Sequence, residues 1–210
     1  MNQNLRKKIE NSGQILPLME TFKTIQGEGF HTGKVAHFIR IGGCDIGCHW
    51  CDIKESWDSE LYPWVKIFDI TESIDNSTEI IVISGGEPLM WNMAPLTYQL
   101  RKKNKKIHLE TSGAYELSGN WDWICLSPKK NKRPIPNLLK RANELKVVVY
   151  NKHDLNFAEQ NAKHVKKDCI LFMQPEWSNK EKVMPLISNF ILKNPNWRIS
   201  LQTHKYLGIK

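Results

Sequence analysis

Cys44, Cys48 and Cys51 fall at C-x3-C-x2-C spacing within the stretch from Arg40 to Asp52. Glycines at 42, 43 and 47 let the backbone curl tightly there and turn the thiols toward one point. Thiolates are soft ligands, and an iron–sulfur cluster is the usual guest of such a loop. The number of cysteines matters, because a structural zinc ion closes its shell with four ligands. His49 adjoins Cys48 and joins the same site only with difficulty. A cluster held by three cysteines leaves one iron open to a ligand that is not protein, which is what catalysis needs and a structural site avoids. Spacing alone leaves two other readings open: zinc completed by Cys125 or Cys169, or three unrelated core thiols. Cys125 and Cys169 each sit in an apolar run and read as small buried hydrophobes.

The elements that must position this loop follow a strand–helix rhythm. Leu16 to Ile25 reads as strand then loop. Val35 to Ile41 reads as a strand that delivers Arg40 and the cysteines. Asp52 to Thr78 reads as a loop followed by a helix. Ile80 to Ile83 is a buried strand closed by Ser84-Gly85-Gly86-Glu87-Pro88, and Pro88 suits the first turn of a helix running to Lys105. Further strands are expected over 106–110, 122–126, 145–150, 169–173 and 198–202. Helices are expected over 137–144, 155–165 and 180–193. Such alternation argues for a parallel sheet. Polar side chains recur where the apolar strands end, and in a barrel those ends converge on one face.

Composition sets the outer bounds. A chain of 210 residues builds one sizeable core and is short for two. The division expected is an N-terminal arm over 1–15 and a single domain over 16–210. No apolar run approaches the roughly 18 residues of a membrane span. The polar start lacks a signal-peptide core, so a cytoplasmic location is expected. A net charge of +8 permits nucleic acid or an acidic redox partner. The lysines are scattered, however, and no RNA-binding module is evident.

An aromatic residue, Trp50, precedes the last cysteine, and this loop resembles that of radical S-adenosylmethionine (SAM) enzymes. Gln26-Gly27-Glu28-Gly29, Trp50-Cys51-Asp52, Ser84-Gly85-Gly86-Glu87-Pro88, Ser127-Pro128-Lys129 and Gln202-Thr203-His204-Lys205 occur in that order. Together they resemble the 7-carboxy-7-deazaguanine synthase family, from about residue 18 onward.

That resemblance implies an α/β fold, a partial TIM-like barrel of parallel strands of the radical SAM type. It implies a [4Fe-4S] cluster on Cys44, Cys48 and Cys51, with SAM on the open iron. Trp50, Cys51, Asp52, Gly86 and Glu87 would contact SAM, with Glu110, Ser127, Pro128, Lys129 and Gln174 as further candidates. Ile25, Gln26, Gly27, Glu28, Arg40, Ser84, His204 and Lys210 would hold the substrate, 6-carboxytetrahydropterin. The implied partners are a flavodoxin or ferredoxin as electron donor and a second copy in a homodimer, with neither membrane nor nucleic acid. The family holds Mg2+ with a Thr or Ser after Trp-Cys-Asp, where this chain has Ile53. Isoleucine offers no oxygen to a hard cation, so only weak sensitivity to Mg2+ is expected. The rival functions are a glycyl-radical activase, which shares the cysteine loop, and a zinc-stabilised RNA-binding module.

Overall fold

The structure, a computed structural model, describes residues 11–210. Most of the expected N-terminal arm, residues 1–10, therefore lies outside the described residues. Nine strands form one sheet: β1 (Ile15–Ile25), β2 (Val35–Ile41), β3 (Trp64–Lys66), β4 (Ile80–Gly85), β5 (Lys106–Thr111), β6 (Trp123–Leu126), β7 (Glu144–Val149), β8 (Ile170–Pro175) and β9 (Trp197–Ile199). Their order is β3-β1-β2-β4-β5-β6-β7-β8-β9. From β2 to β9 all neighbours run parallel, while β1 pairs antiparallel with both β2 and β3. The sheet does not close on itself, so the architecture is an incomplete barrel.

The period-2 alternation of the strands separates a core face from a cavity face. Ile39, Ile41, Ile81, Ile83, Ile107 and Leu109 join the main core. Against them pack α1 (Ile67–Glu72), α2 (Ala94–Lys102), α3 (Pro136–Arg141), α4 (His153–Ala162) and α5 (Lys180–Lys193), through residues such as Leu96, Leu138, Phe157 and Ile187. The intervening positions Arg40, Ser84, Glu110 and Lys146 face the hollow of the barrel instead. Lower in the hollow, Ala36, Phe38, Ile80 and Val82 form a small apolar layer with Phe22.

The structure departs from the sequence expectations at five points. The loop expected within 16–25 is strand throughout, because Thr21 to Ile25 pair with β2 in a long hairpin. The three-residue β3 was not foreseen, since Trp64-Val65-Lys66 is too short to show periodicity. The helix expected from Pro88 to Lys105 is interrupted. A 3-10 turn covers Pro88–Met90, capped by the Glu87 carboxylate, and α2 starts only at Ala94, where Asn92 Oδ1 accepts from the Ala94 N–H. Finally, Glu144 belongs to β7 rather than to a helix, and β9 is followed by a short helix, α6 (Thr203–Leu207). No helix among the described residues is long and apolar enough to cross a membrane.

Candidate active site

A cavity of about 460 Å3 opens at the C-terminal ends of the parallel strands. Cys44, Cys48 and Cys51 line it, with Trp50, Asp52, Gly86 and Glu87 beside them. Ile25 to Glu28, Arg40, Ser84, His204 and Lys210 line it too, as do Glu110, Ser127, Lys129 and Gln174. Pro128 is the exception: it borders a neighbouring hollow of about 140 Å3 next to Trp50 and Tyr150.

The cysteine loop is held by main-chain bonds on both flanks. Gly43 N–H donates to Ser56 O at 2.7 Å and Cys44 N–H to Trp57 O at 3.0 Å. Gly86 N–H donates to Ile41 O and Glu87 N–H to Gly43 O, each at 2.9 Å. Gly43 has φ +99°, which only glycine adopts cheaply. From the outside, Asn131 Nδ2 donates to the carbonyls of Ile46 and Gly47, and Lys132 pairs with Asp45 at 2.8 Å.

All three thiols are free and partly buried. Burial pushes Cys44 up to about 11 and raises Cys48, although Lys129 opposes the rise at Cys48. Thiolate ligation here therefore depends on a cation, as metal binding and thiol deprotonation are coupled. Among the described residues, no three His, Cys, Asp or Glu side chains converge tightly enough for one ion. A cluster makes no such demand, because each thiolate takes a different iron. Cys125 and Cys169 do not complete the set. The Cys125 thiol meets Glu144 below the cavity floor, and Cys169 sits buried just before β8.

Glu87 is 1% exposed, and every bond its carboxylate makes is internal. One oxygen accepts from Leu89 N–H at 3.1 Å and the Thr111 hydroxyl at 2.6 Å. The other accepts from Ser112 N–H at 2.8 Å and the Ser112 hydroxyl. Its side chain thus braces the Gly85-Gly86 turn against β5, leaving main-chain groups of that turn for a ligand. Lys129 Nζ donates to Ser127 O and Oγ and lies 5.6 Å from the Trp50 ring centre.

The floor is acidic. Gln26 Nε2 donates to Glu110 at 3.1 Å, and Glu28 N–H donates to Gln26 Oε1 at 3.1 Å. Glu28 accepts from Gln202 Nε2 at 2.9 Å and pairs closely with Lys146, which also lies 3.4 Å from Glu110. Burial alone would raise Glu28, but Lys146, Gln202 and His204 outweigh it and bring it down to about 2. Burial lowers the pKa of His204, whose ring packs against Gly27.

The rim is basic. Arg40 pairs with Glu20 at 2.7 Å and lies 5.0 Å from the Phe22 ring centre, yet its buried Nε–H has no partner. Lys210 pairs with Glu20 and accepts from the Thr24 hydroxyl at 2.9 Å. Sequence reasoning missed Lys146, Glu20 and Thr24. Lys146 carried a signal: it is the one charge inside the apolar run from Leu145 to Val149, at a position of the cavity-facing parity.

Comparison with known proteins adds to this geometry. The radical SAM superfamily matches residues 38–125. The 7-carboxy-7-deazaguanine synthase of Flavobacterium psychrophilum is 56% identical over 208 residues, 98% of this chain and 99% of its own. The protein of the same name from Synechocystis sp. is 43% identical, covering 92% of this chain and 93% of its own. The crystal structure of QueE from Escherichia coli superposes with a TM-score of 0.81 at 29% identity, covering 95% of this chain and 98% of that one.

Proposed function

The chain belongs to the 7-carboxy-7-deazaguanine synthase family of radical SAM enzymes, and we propose that it converts 6-carboxy-5,6,7,8-tetrahydropterin to 7-carboxy-7-deazaguanine, with loss of ammonia, in queuosine biosynthesis. One observation carries this reading: a single cavity with three thiols on one wall, an acidic floor and a basic rim.

The residues present fit a [4Fe-4S] cluster, because three free thiols face one cavity and the other two cysteines, Cys125 and Cys169, lie away from them. Cys44, Cys48 and Cys51 would hold it, and the Gly85-Gly86 turn and the wall around Trp50 and Lys129 would hold SAM. When bound, cluster and SAM supply a radical that takes a hydrogen atom from the substrate. The chain's own part is recognition and shielding. Arg40 has an orphaned N–H in a lined cavity, which a ring carboxylate would satisfy. Glu28 offers acceptor oxygens to the amino and N–H edge of the ring. Ser84 and His204 close the sides, and Lys210 packs over the rim.

Mg2+ does not fit the residues at hand. Ile53 lines the cavity without an oxygen, and Asp52 Oδ2 already accepts from Lys205 Nζ at 2.8 Å and Gln202 Nε2 at 3.0 Å. Turnover with and without chelator is expected to differ by less than about twofold, since no hard-oxygen site is built. A strict requirement for Mg2+ at saturating substrate overturns that expectation.

The electron donor is read as an acidic flavodoxin or ferredoxin. Lys132 pairs with Asp45 of the cysteine loop and Lys130 borders the hollow beside Cys48, and this basic segment complements such a partner. A homodimer rests on the family resemblance. A cytoplasmic location is supported by five unpaired cysteines, which suit a reducing compartment.

The test is anaerobic incubation of the iron-loaded protein with SAM, reductant and the carboxypterin. A deazaguanine acid should accumulate while SAM is regenerated. Cleavage of SAM without that product, or one zinc per chain in place of iron and sulfide, sinks the assignment.

A further inference from the structure

Lys146 takes no part in cluster, SAM or carboxylate binding as described above, yet it is the most deeply buried cation facing the cavity. Its side chain is 4% exposed. Its strand neighbours Leu145 and Val147 turn outward into the core, so only Lys146 points into the hollow from this part of β7. A buried ammonium without partners sheds its proton. Lys146 does not: burial pulls its pKa down, but Cys125, Glu110, Glu28 and Glu144 together hold it well above the usual lysine range.

We propose that Lys146 is a positioning residue for ring specificity: it holds Glu28 and Glu110 side by side on the floor so that they present only acceptors to the substrate. The proposal rests on the pterin reading above. Glu28 and Glu110 come from different parts of the chain, the loop after β1 and the strand β5, and Lys146 is the cation common to both. Gln26 ties the Glu110 carboxylate to the Glu28 main-chain N–H, and Gln202 donates to the Glu28 carboxylate, so the main chain would stay in place without it.

Two carboxylates and one ammonium give the floor one net negative charge. That suits a ring edge made of an amino group and a ring N–H, which only donate. Without Lys146 the carboxylates repel, and the pair relieves this by moving apart or by sharing a proton. A protonated carboxyl donates as well as accepts and opposes the N–H edge of the ring.

The experiment compares Lys146→Met, Lys146→Arg and the double variant Lys146→Met/Glu110→Gln with the unaltered holoenzyme. Iron content, thermal melting, and KM and kcat for the carboxypterin are measured for each. Lys146→Met should raise KM by about tenfold or more, the scale of one lost charge-assisted contact, with kcat changing far less and iron content unchanged. Lys146→Arg should recover part of the loss, as it keeps the charge. The double variant restores the single negative charge of the floor, and its amide N–H turns to the Glu28 carboxylate in place of the ammonium while its oxygen faces the ring; it should have a lower KM than Lys146→Met alone.

An unchanged KM in Lys146→Met overturns the proposal. So does a double variant no better than the single one, or failure of every variant to fold with its cluster, since each makes Lys146 a structural residue. If the unaltered enzyme does not turn over the carboxypterin, the function itself is wrong, and that result is separate from any comparison among variants.

Discussion

Gly86→Ala is expected to lower turnover by at least about 100-fold, the scale of a sub-ångström to one-ångström misplacement of reacting groups, and to reduce bound iron and sulfide. A Cβ at Gly86 would overlap the Gly43 carbonyl and stand 3.1 Å from the Cys44 Cβ. These are backbone and near-backbone atoms, and no flexible side chain is there to yield. The Gly86 N–H and Glu87 N–H bonds to Ile41 and Gly43 tie the two turns together, so strain on one moves the other. Gly33→Ala is the control. Gly33 has φ +89° but nothing within 4 Å of an added Cβ. It should cost about 1–2 kcal/mol of stability from the left-handed backbone and leave iron content alone. Equal iron and turnover in Gly86→Ala and the unaltered enzyme would show that the cysteine loop accommodates the methyl group.

Glu87→Ala should destabilise the fold by about 3–5 kcal/mol, because it strands two buried N–H donors and two hydroxyls at once. For a chain of 210 residues, that is a fall in melting temperature of roughly 10 °C. Glu87→Gln should recover little, since one face of the amide presents N–H groups to the Ser112 N–H and hydroxyl that now donate to the carboxylate. Calorimetry of both variants decides the matter. A melting temperature within about 2 °C of the unaltered protein, less than 1 kcal/mol at this chain length, would mean the four donors find water or new partners.

Much of this arrangement is legible in the sequence. The parallel strands β4 to β8 announce themselves as short apolar runs, and their polar ends mark the cavity face. The three-cysteine loop is readable because its chemistry depends on local spacing. The radical SAM fold and the family assignment both stand. What the sequence hides is non-local. The Glu87 carboxylate is bonded to Thr111 and Ser112, which lie 24 and 25 residues further on in the chain. Lys146 reads as an ordinary strand lysine until Glu28, 118 residues earlier, is folded against it. The break before α2 escapes detection because Glu87, Asn92 and Ser118 each capture a main-chain N–H that a continuous helix would use.

The segment from Gln26 to Lys34 leaves the β1–β2 hairpin and reaches the far side of the sheet. Gly29 N–H donates to Ser200 Oγ at 2.9 Å, Thr203 N–H donates to Gly27 O at 2.9 Å, and Phe30 stacks on Trp123 at 5.0 Å. It works as a clasp between stretches about 170 residues apart. The floor carboxylate Glu28 rides on that clasp, so the floor is complete only after the last strand has docked. Contacts of such long sequence separation form late. A newly made chain can thus wrap its cysteine loop well before it gains a competent substrate floor, and any cut that frees residues 200–210 should unfasten the pocket while leaving the thiol wall standing.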